Sequence, residues 1–177
     1  VIYTLNGEEL AHFPAGLKGT YETLPTTKKI LEDAFKGAPK IEKVVFNSGL
    51  EEIEKDAFQY TTSLKDITFA APATITKIGT FAFTGAALET LTLPSSLKSL
   101  EWSAFANCNK LQSVKIDNGT KLETLGCEAF ANCNSLESFT FEGNSYAETI
   151  GSNAFKGDSK LSSFTFPAKV KTIEEAA

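Results

Sequence analysis

The chain has 177 residues, 42% of them hydrophobic, and its 22 acidic against 17 cationic side chains give a net charge of −5. It is one unit of ordinary globular size, and no apolar run approaches the ~18 residues that a membrane-spanning helix needs. No Arg occurs and, Lys28-Lys29 apart, the Lys residues are spread singly, so the composition argues against nucleic acid, which wants clustered cations and guanidinium forks.

Taken in chain order, residues 1–13 come first. Asn6-Gly7 between two short apolar stretches predicts a β-hairpin that caps the exposed edge of the regular coils. Phe13-Pro14-Ala15-Gly16-Leu17-Lys18-Gly19-Thr20-Tyr21 then leads into an irregular first turn. Residues 1–24 read as hairpin and cap, and residues 25–177 as a repeat array of about six coils with the last truncated. The chain opens at Val1, contains no Met, and stops at Ala177 where the repeat demands a following Phe. Both ends are expected to belong to something longer or processed, with any signal peptide removed.

The array is announced by Ala-Phe, at Ala34-Phe35, Ala57-Phe58, Ala82-Phe83, Ala104-Phe105, Ala129-Phe130 and Ala154-Phe155, at intervals of 23, 25, 22, 25 and 25 residues. A period in this range specifies a stacked solenoid. Four residues before each Ala stands an Ile or Leu: Ile30, Ile53, Ile78, Leu100, Leu125, Ile150 and Ile173. After each Ala-Phe comes a strand signature: Ile41/Val44/Phe46, Leu64/Ile67/Phe69, Leu88/Leu91/Leu93, Leu111/Val114/Ile116, Leu136/Phe139/Phe141 and Leu161/Phe164/Phe166. Stacking sets these strands ~4.8 Å apart in a parallel sheet. The expected fold is a β-rich, right-handed solenoid with a parallel sheet on one face and short helical or 3-10 turns at the Ala-Phe segments.

Length varies in two turns only: two extra residues after the strand in the long coils, and one residue fewer between Phe83 and Leu88. Two residues after each Phe stand Gly37, Tyr60, Gly85, Asn107, Asn132 and Gly157, which predicts a left-handed corner in each coil. Tyr60 departs from this pattern; either its corner differs or a bulky residue is held in a costly conformation. Cys108 and Cys133 share a column one coil apart, within reach of a disulfide, though a ladder of buried thiols is the simpler reading. Cys127 is a third thiol without a partner in that column.

No residue set supports catalysis, a metal or a cofactor. His12 stands in the hairpin without a nucleophile at a recognisable spacing, and Glu51, Glu52, Glu54 and Asp56 flank buried positions as one solvated face. Asp117-Asn118-Gly119-Thr120 is sufficiently explained as a turn. Binding surfaces remain. The outward positions of the strands form a hydroxyl-rich ribbon, on which Asp66, Thr68, Thr90, Thr92, Ser113, Lys115, Ser138 and Thr140 are the predicted ligand contacts. The rival reading is Thr chosen for β-propensity. Phe81 and Trp102 are aromatic in columns that are otherwise mainly polar, and are candidate contacts too unless they pack over the shortened coil.

The pattern I-x-x-x-A-F-x-G/N-C-x-x-L-x-x-V-x-F-P, clearest in residues 125–141 and 150–167, resembles the BspA-like leucine-rich repeat family, as does the 13–21 segment after the hairpin. The resemblance implies a leucine-rich-repeat solenoid, secreted or displayed on a bacterial surface, used for adhesion or ligand binding. The function it points to is a non-enzymatic extracellular recognition module that contacts a host or matrix protein through a solenoid face. A glycan-binding module using Trp102 and Phe81, or a passive spacer, are the alternatives.

Overall fold

The computed structural model describes residues 1–165, 167 and 169–177, so the expected strand position Phe166 lies outside the described residues. Among the described residues sixteen short strands follow one another. β1 (Ile2–Tyr3) and β2 (Glu9–His12) form the predicted antiparallel hairpin. Then come β3 (Gly19–Glu22), β4 (Lys29–Ile30), β5 (Ile41–Phe46), β6 (Glu52–Ile53), β7 (Asp66–Phe69), β8 (Lys77–Ile78) and β9 (Thr90–Leu93). The chain continues through β10 (Ser99–Leu100), β11 (Ser113–Ile116), β12 (Lys121–Leu125), β13 (Ser138–Phe141), β14 (Tyr146–Ile150), β15 (Ser163–Thr165) and β16 (Thr172–Ile173).

These strands build a solenoid of about seven turns with two parallel faces. The Ile/Leu column makes one face, a nine-stranded sheet in the order β1-β2-β4-β6-β8-β10-β12-β14-β16. The strand-signature face is split into a three-stranded sheet, β3-β5-β7, and a four-stranded one, β15-β13-β11-β9. Along β9, β11 and the second half of β5 alternate side chains point inward and are buried, as period-two patterning requires.

The Ala-Phe turns are not helical, contrary to expectation, and the reason is conformational. The residue before each Ala also has positive φ: Asp33 at 60°, Asp56 at 57°, Phe81 at 56°, Ser103 at 53°, Glu128 at 55° and Asn153 at 57°. So does the expected corner two residues after Phe, where Tyr60 sits at 57°. Left-handed residues on both sides of Ala-Phe turn alternate N–H groups outward, so a helical ladder cannot propagate. The N–H groups go to the next coil instead: Phe35 donates to the Ala57 carbonyl at 2.7 Å, Phe58 to Ala82 at 2.7 Å, Phe83 to Ala104 at 2.7 Å and Phe105 to Ala129 at 2.8 Å.

The Phe rings stack into a spine along the solenoid axis. Centroid separations are 4.4 Å for Phe35–Phe58, 4.8 Å for Phe58–Phe83, 5.0 Å for Phe83–Phe105 and 5.3 Å for Phe105–Phe130. Phe13 is an additional first rung, 4.5 Å from Phe35, and its N–H donates to Ala34 at 2.7 Å as the others do. It escaped the repeat pattern because His12 replaces Ala, and because Leu10, which pairs with Ile30, stands only three residues before Phe13. Each buried ring contributes roughly 1.5–3 kcal/mol.

Glycine fits the spacing in a second way. Gly79, Gly126 and Gly151 occupy the column three before Ala in the 25-residue coils, where Glu54 and Glu101 stand in shorter ones. A Cβ at Gly126 would lie 2.6 Å from the Glu101 backbone, so only glycine lets the coils close there.

Candidate functional site

The split falls between β7 and β9, in the coil whose connection from Phe83 to Leu88 is one residue short. Pro94 fixes it. In the two adjacent coils the residue after the strand donates its N–H to the previous coil, Ala70 to the Phe46 carbonyl at 2.9 Å and Asp117 to Leu93 at 3.0 Å. Pro94 occupies this column next to Phe69 and has no N–H. The two strands start together, with the Glu89 N–H on the Lys65 carbonyl at 3.1 Å, and then separate.

The separation opens a cleft of about 230 Å³, lined by Asp66, Ile67, Thr68, Phe69, Thr90, Thr92, Pro94 and Asp117. Four of the predicted ligand contacts, Asp66, Thr68, Thr90 and Thr92, therefore meet in it, although the sheet was expected to be continuous. Facing strand edges without a partner strand also turn backbone donors and acceptors into the cleft. Asp66 is held by Lys43, with Nζ 2.7 Å from its carboxylate. The ribbon continues away from the cleft in register: Ser113 beside Thr90 and Ser138, and Lys115 beside Thr92 and Thr140. The Lys115 ammonium pairs with Glu142 at 3.0 Å.

Phe81 and Trp102 lie at the Ala-Phe corner and not on this ribbon. Their rings meet at 4.8 Å with an interplanar angle of 52°. Trp102 is 50% exposed, and its indole N–H donates to Glu128 Oε2 at 3.3 Å. The Ser103 hydroxyl donates to the same oxygen at 3.2 Å. Phe81 bears positive φ where other coils mostly use Asp, Ser, Glu or Asn, a conformation that costs a bulky residue about 1–2 kcal/mol. Tyr60 shares this strain, and its ring lies over Gly85, where a Cβ would come within 2.6 Å of the ring.

In the N-terminal coils the same corner carries charge. Asp56 is buried, with Oδ2 3.4 Å from Lys36 and 3.6 Å from Lys55, and Lys55 reaches Glu32 at 2.9 Å. Glu52 pairs with Lys29 at 3.1 Å and Lys77 at 3.5 Å. The acidic cluster is thus an ion-pair lattice tying coils together and not merely a solvated face. His12 is exposed at the end of β2.

Cys108 and Cys133 are buried free thiols, each donating to the carbonyl of a Phe in the preceding coil, Phe83 and Phe105, at 3.2 Å. The Cys133 thiol is pushed up by its bond with Cys108 and by burial. Asp158 continues this column. Its Oδ1 accepts the Cys133 N–H at 2.7 Å, its Oδ2 is buried without a partner, and burial raises its pKa from 3.8 to about 7. Among the described residues no cluster of His, Cys, Asp and Glu could hold a metal ion.

Stacked coils, an Ile/Leu column and a strand face define a leucine-rich-repeat solenoid. The family described as BspA type Leucine rich repeat region matches in six copies over residues 28–146 and 69–177, and the chain belongs to it. A solved leucine-rich repeat protein from Eubacterium ventriosum is similar at 26% identity and TM-score 0.86, covering 98% of this chain and 46% of that one. The pneumococcal vaccine antigen PcpA is similar at 26% identity and TM-score 0.71, covering 97% and 44%. This chain thus spans less than half the length of either. A leucine rich cell surface protein from Faecalibacterium prausnitzii shares the fold at 24% identity and TM-score 0.60, covering 82% and 43%. No match was found among curated proteins.

Proposed function

We propose that the protein is a non-enzymatic, extracellular or cell-surface recognition module that binds a host or matrix protein through its strand face, with the β7/β9 cleft as the anchor point. The cleft carries this reading. It gathers Thr68, Thr90 and Thr92 hydroxyls with the Asp66 and Asp117 carboxylates and the Phe69 side chain, a mixed lining suited to seating a polar or cationic side chain of a partner. The surface setting is supported by the family and by the cell-surface protein that shares the fold.

An array of host surface and extracellular-matrix proteins tests it. The wild-type protein binds at least one of them saturably, and Thr92→Trp, which fills the cleft from an exposed position, weakens that binding by about tenfold or more without lowering the melting temperature. Binding that is indifferent to Thr92→Trp, or no binding at all, rules the proposal out.

A further inference from the structure

The aromatic corner is independent of the cleft, and from it we infer a second site: Trp102, propped by Phe81 and flanked by Glu128, is a stacking platform for a neutral saccharide ring. Three observations converge on it. Trp102 is half exposed although its coil has a buried spine available for aromatic side chains. Its indole N–H is already committed to Glu128, so the surface left to a ligand is the π face, whose negative quadrupole attracts the polarised C–H groups of a sugar. The neighbours of Trp102 in its own column, Thr80 and Cys127, are small, and among the described aromatic rings it meets only Phe81.

Phe81 supplies the strongest argument. A left-handed position that Asp, Ser, Glu and Asn fill in other coils is occupied in this one by a residue whose side chain can form no hydrogen bond there. What the ring does in return is brace Trp102 from the preceding coil at 4.8 Å. Stacking imposes this left-handed backbone on every coil; what is particular to this one is an aromatic side chain at that position, in contact with an exposed Trp.

The surrounding chemistry selects the ligand class. Glu128 Oε2 takes both the indole and the Ser103 hydroxyl, while Oε1 has no hydrogen-bond partner among the described residues and stands ready to accept from a sugar hydroxyl. The carboxylate of Glu128 touches the indole itself, which disfavours anionic ligands on the ring, while Lys55 and Lys77 share a depression with Thr80 and Glu101 on the side of the preceding coils. Phe81 and Trp102 touch each other, so they form one ledge and not the two separated walls of a cage for a cation.

The chain has a single Trp, so intrinsic fluorescence reports on this ledge alone. The protein is titrated with maltotetraose, cellotetraose, chitotetraose, mannotetraose and lacto-N-tetraose, with sialyllactose as the anionic control. At least one neutral saccharide produces a saturable change with Kd of about 1 mM or tighter, and sialyllactose does not. Phe81→Asn, which suits the left-handed backbone, leaves the melting temperature unchanged and weakens the saccharide about tenfold. Should Phe81→Asn fail to fold, Glu128→Gln keeps the shape of the corner and carries the test, with a loss of about tenfold. The inference is overturned if none of the neutral saccharides gives a saturable change up to about 10 mM, if sialyllactose binds as well as the neutral ones, or if the folded variants bind like the wild type.

Discussion

The two faces of the solenoid respond differently to the same irregularities in the repeat. The Ile/Leu face runs through nine strands without interruption, and beside it the Phe spine runs from Phe13 to Phe155 and the Ala-Phe turn ladder from Phe13 to Ala154. The strand-signature face, built from the same coils, is cut in two between β7 and β9. A coil needs its spine and one ladder to stack; the second ladder can open without loss of the fold. That latitude is where a repeat protein can make a cleft while keeping its core intact.

The largest test of this division is in the spine. Phe130→Ala removes a fully buried ring stacked on Phe105 at 5.3 Å, and a loss of roughly 3–5 kcal/mol in unfolding free energy by denaturant titration is expected. Gly126→Ala attacks the same continuous side by another route. Its Cβ would meet the Leu100 carbonyl at 2.6 Å, and the resulting separation of coils costs about 1–3 kcal/mol in the same assay. A substitution on the split face, Thr92→Trp, should cost less than either. Equal losses on the two faces would dissolve the distinction.

A smaller effect is set by pH. The proton on Asp158 is favoured in the folded state, since burial raises its pKa from 3.8 to about 7. The stabilisation is full below the ordinary value and is lost as pH rises through about 7, with a magnitude on the order of 1–2 kcal/mol after discounting for solvent screening at a half-buried group. Melting temperature should therefore rise between about pH 8 and about pH 5, and Asp158→Asn should flatten that part of the profile. The smallest effect concerns glycine. Gly37→Ala meets only backbone strain at φ 64°, whereas Gly85→Ala meets strain at φ 71° and the Tyr60 ring. The difference between the two melting curves, about 1 kcal/mol, isolates the Tyr60 contact.

Much of the fold was legible in the sequence because buried columns repeat. Ala-Phe, the Ile/Leu column and the strand signature follow from period alone, and the Gly/Asn corner from the chemistry of positive φ. The second left-handed position was not legible: Asp, Ser, Glu, Asn and Phe before Ala share no single preference, and backbone geometry imposed by stacking overrides what each would choose. The shortened connection after Phe83 was visible, but its coincidence with Pro94 in the donor column is revealed only by the register of neighbouring coils. Similarly, the ribbon residues were found by alternation, while the gathering of Asp66, Thr68, Thr90 and Thr92 into one cleft required the split. Phe81 and Trp102 stood out as exceptions to their columns, and the structure joins them with Glu128, which looked like any other polar residue of its column.

Residue-resolved amide hydrogen exchange tests the split most directly. The amides of β11, enclosed by β9 and β13, should exchange slowly, and those amides of β9 that face β7 should exchange about 100-fold faster or more. Equal protection of β9 and β11 would mean that the ladder is continuous, and the cleft on which the proposed function rests would not exist.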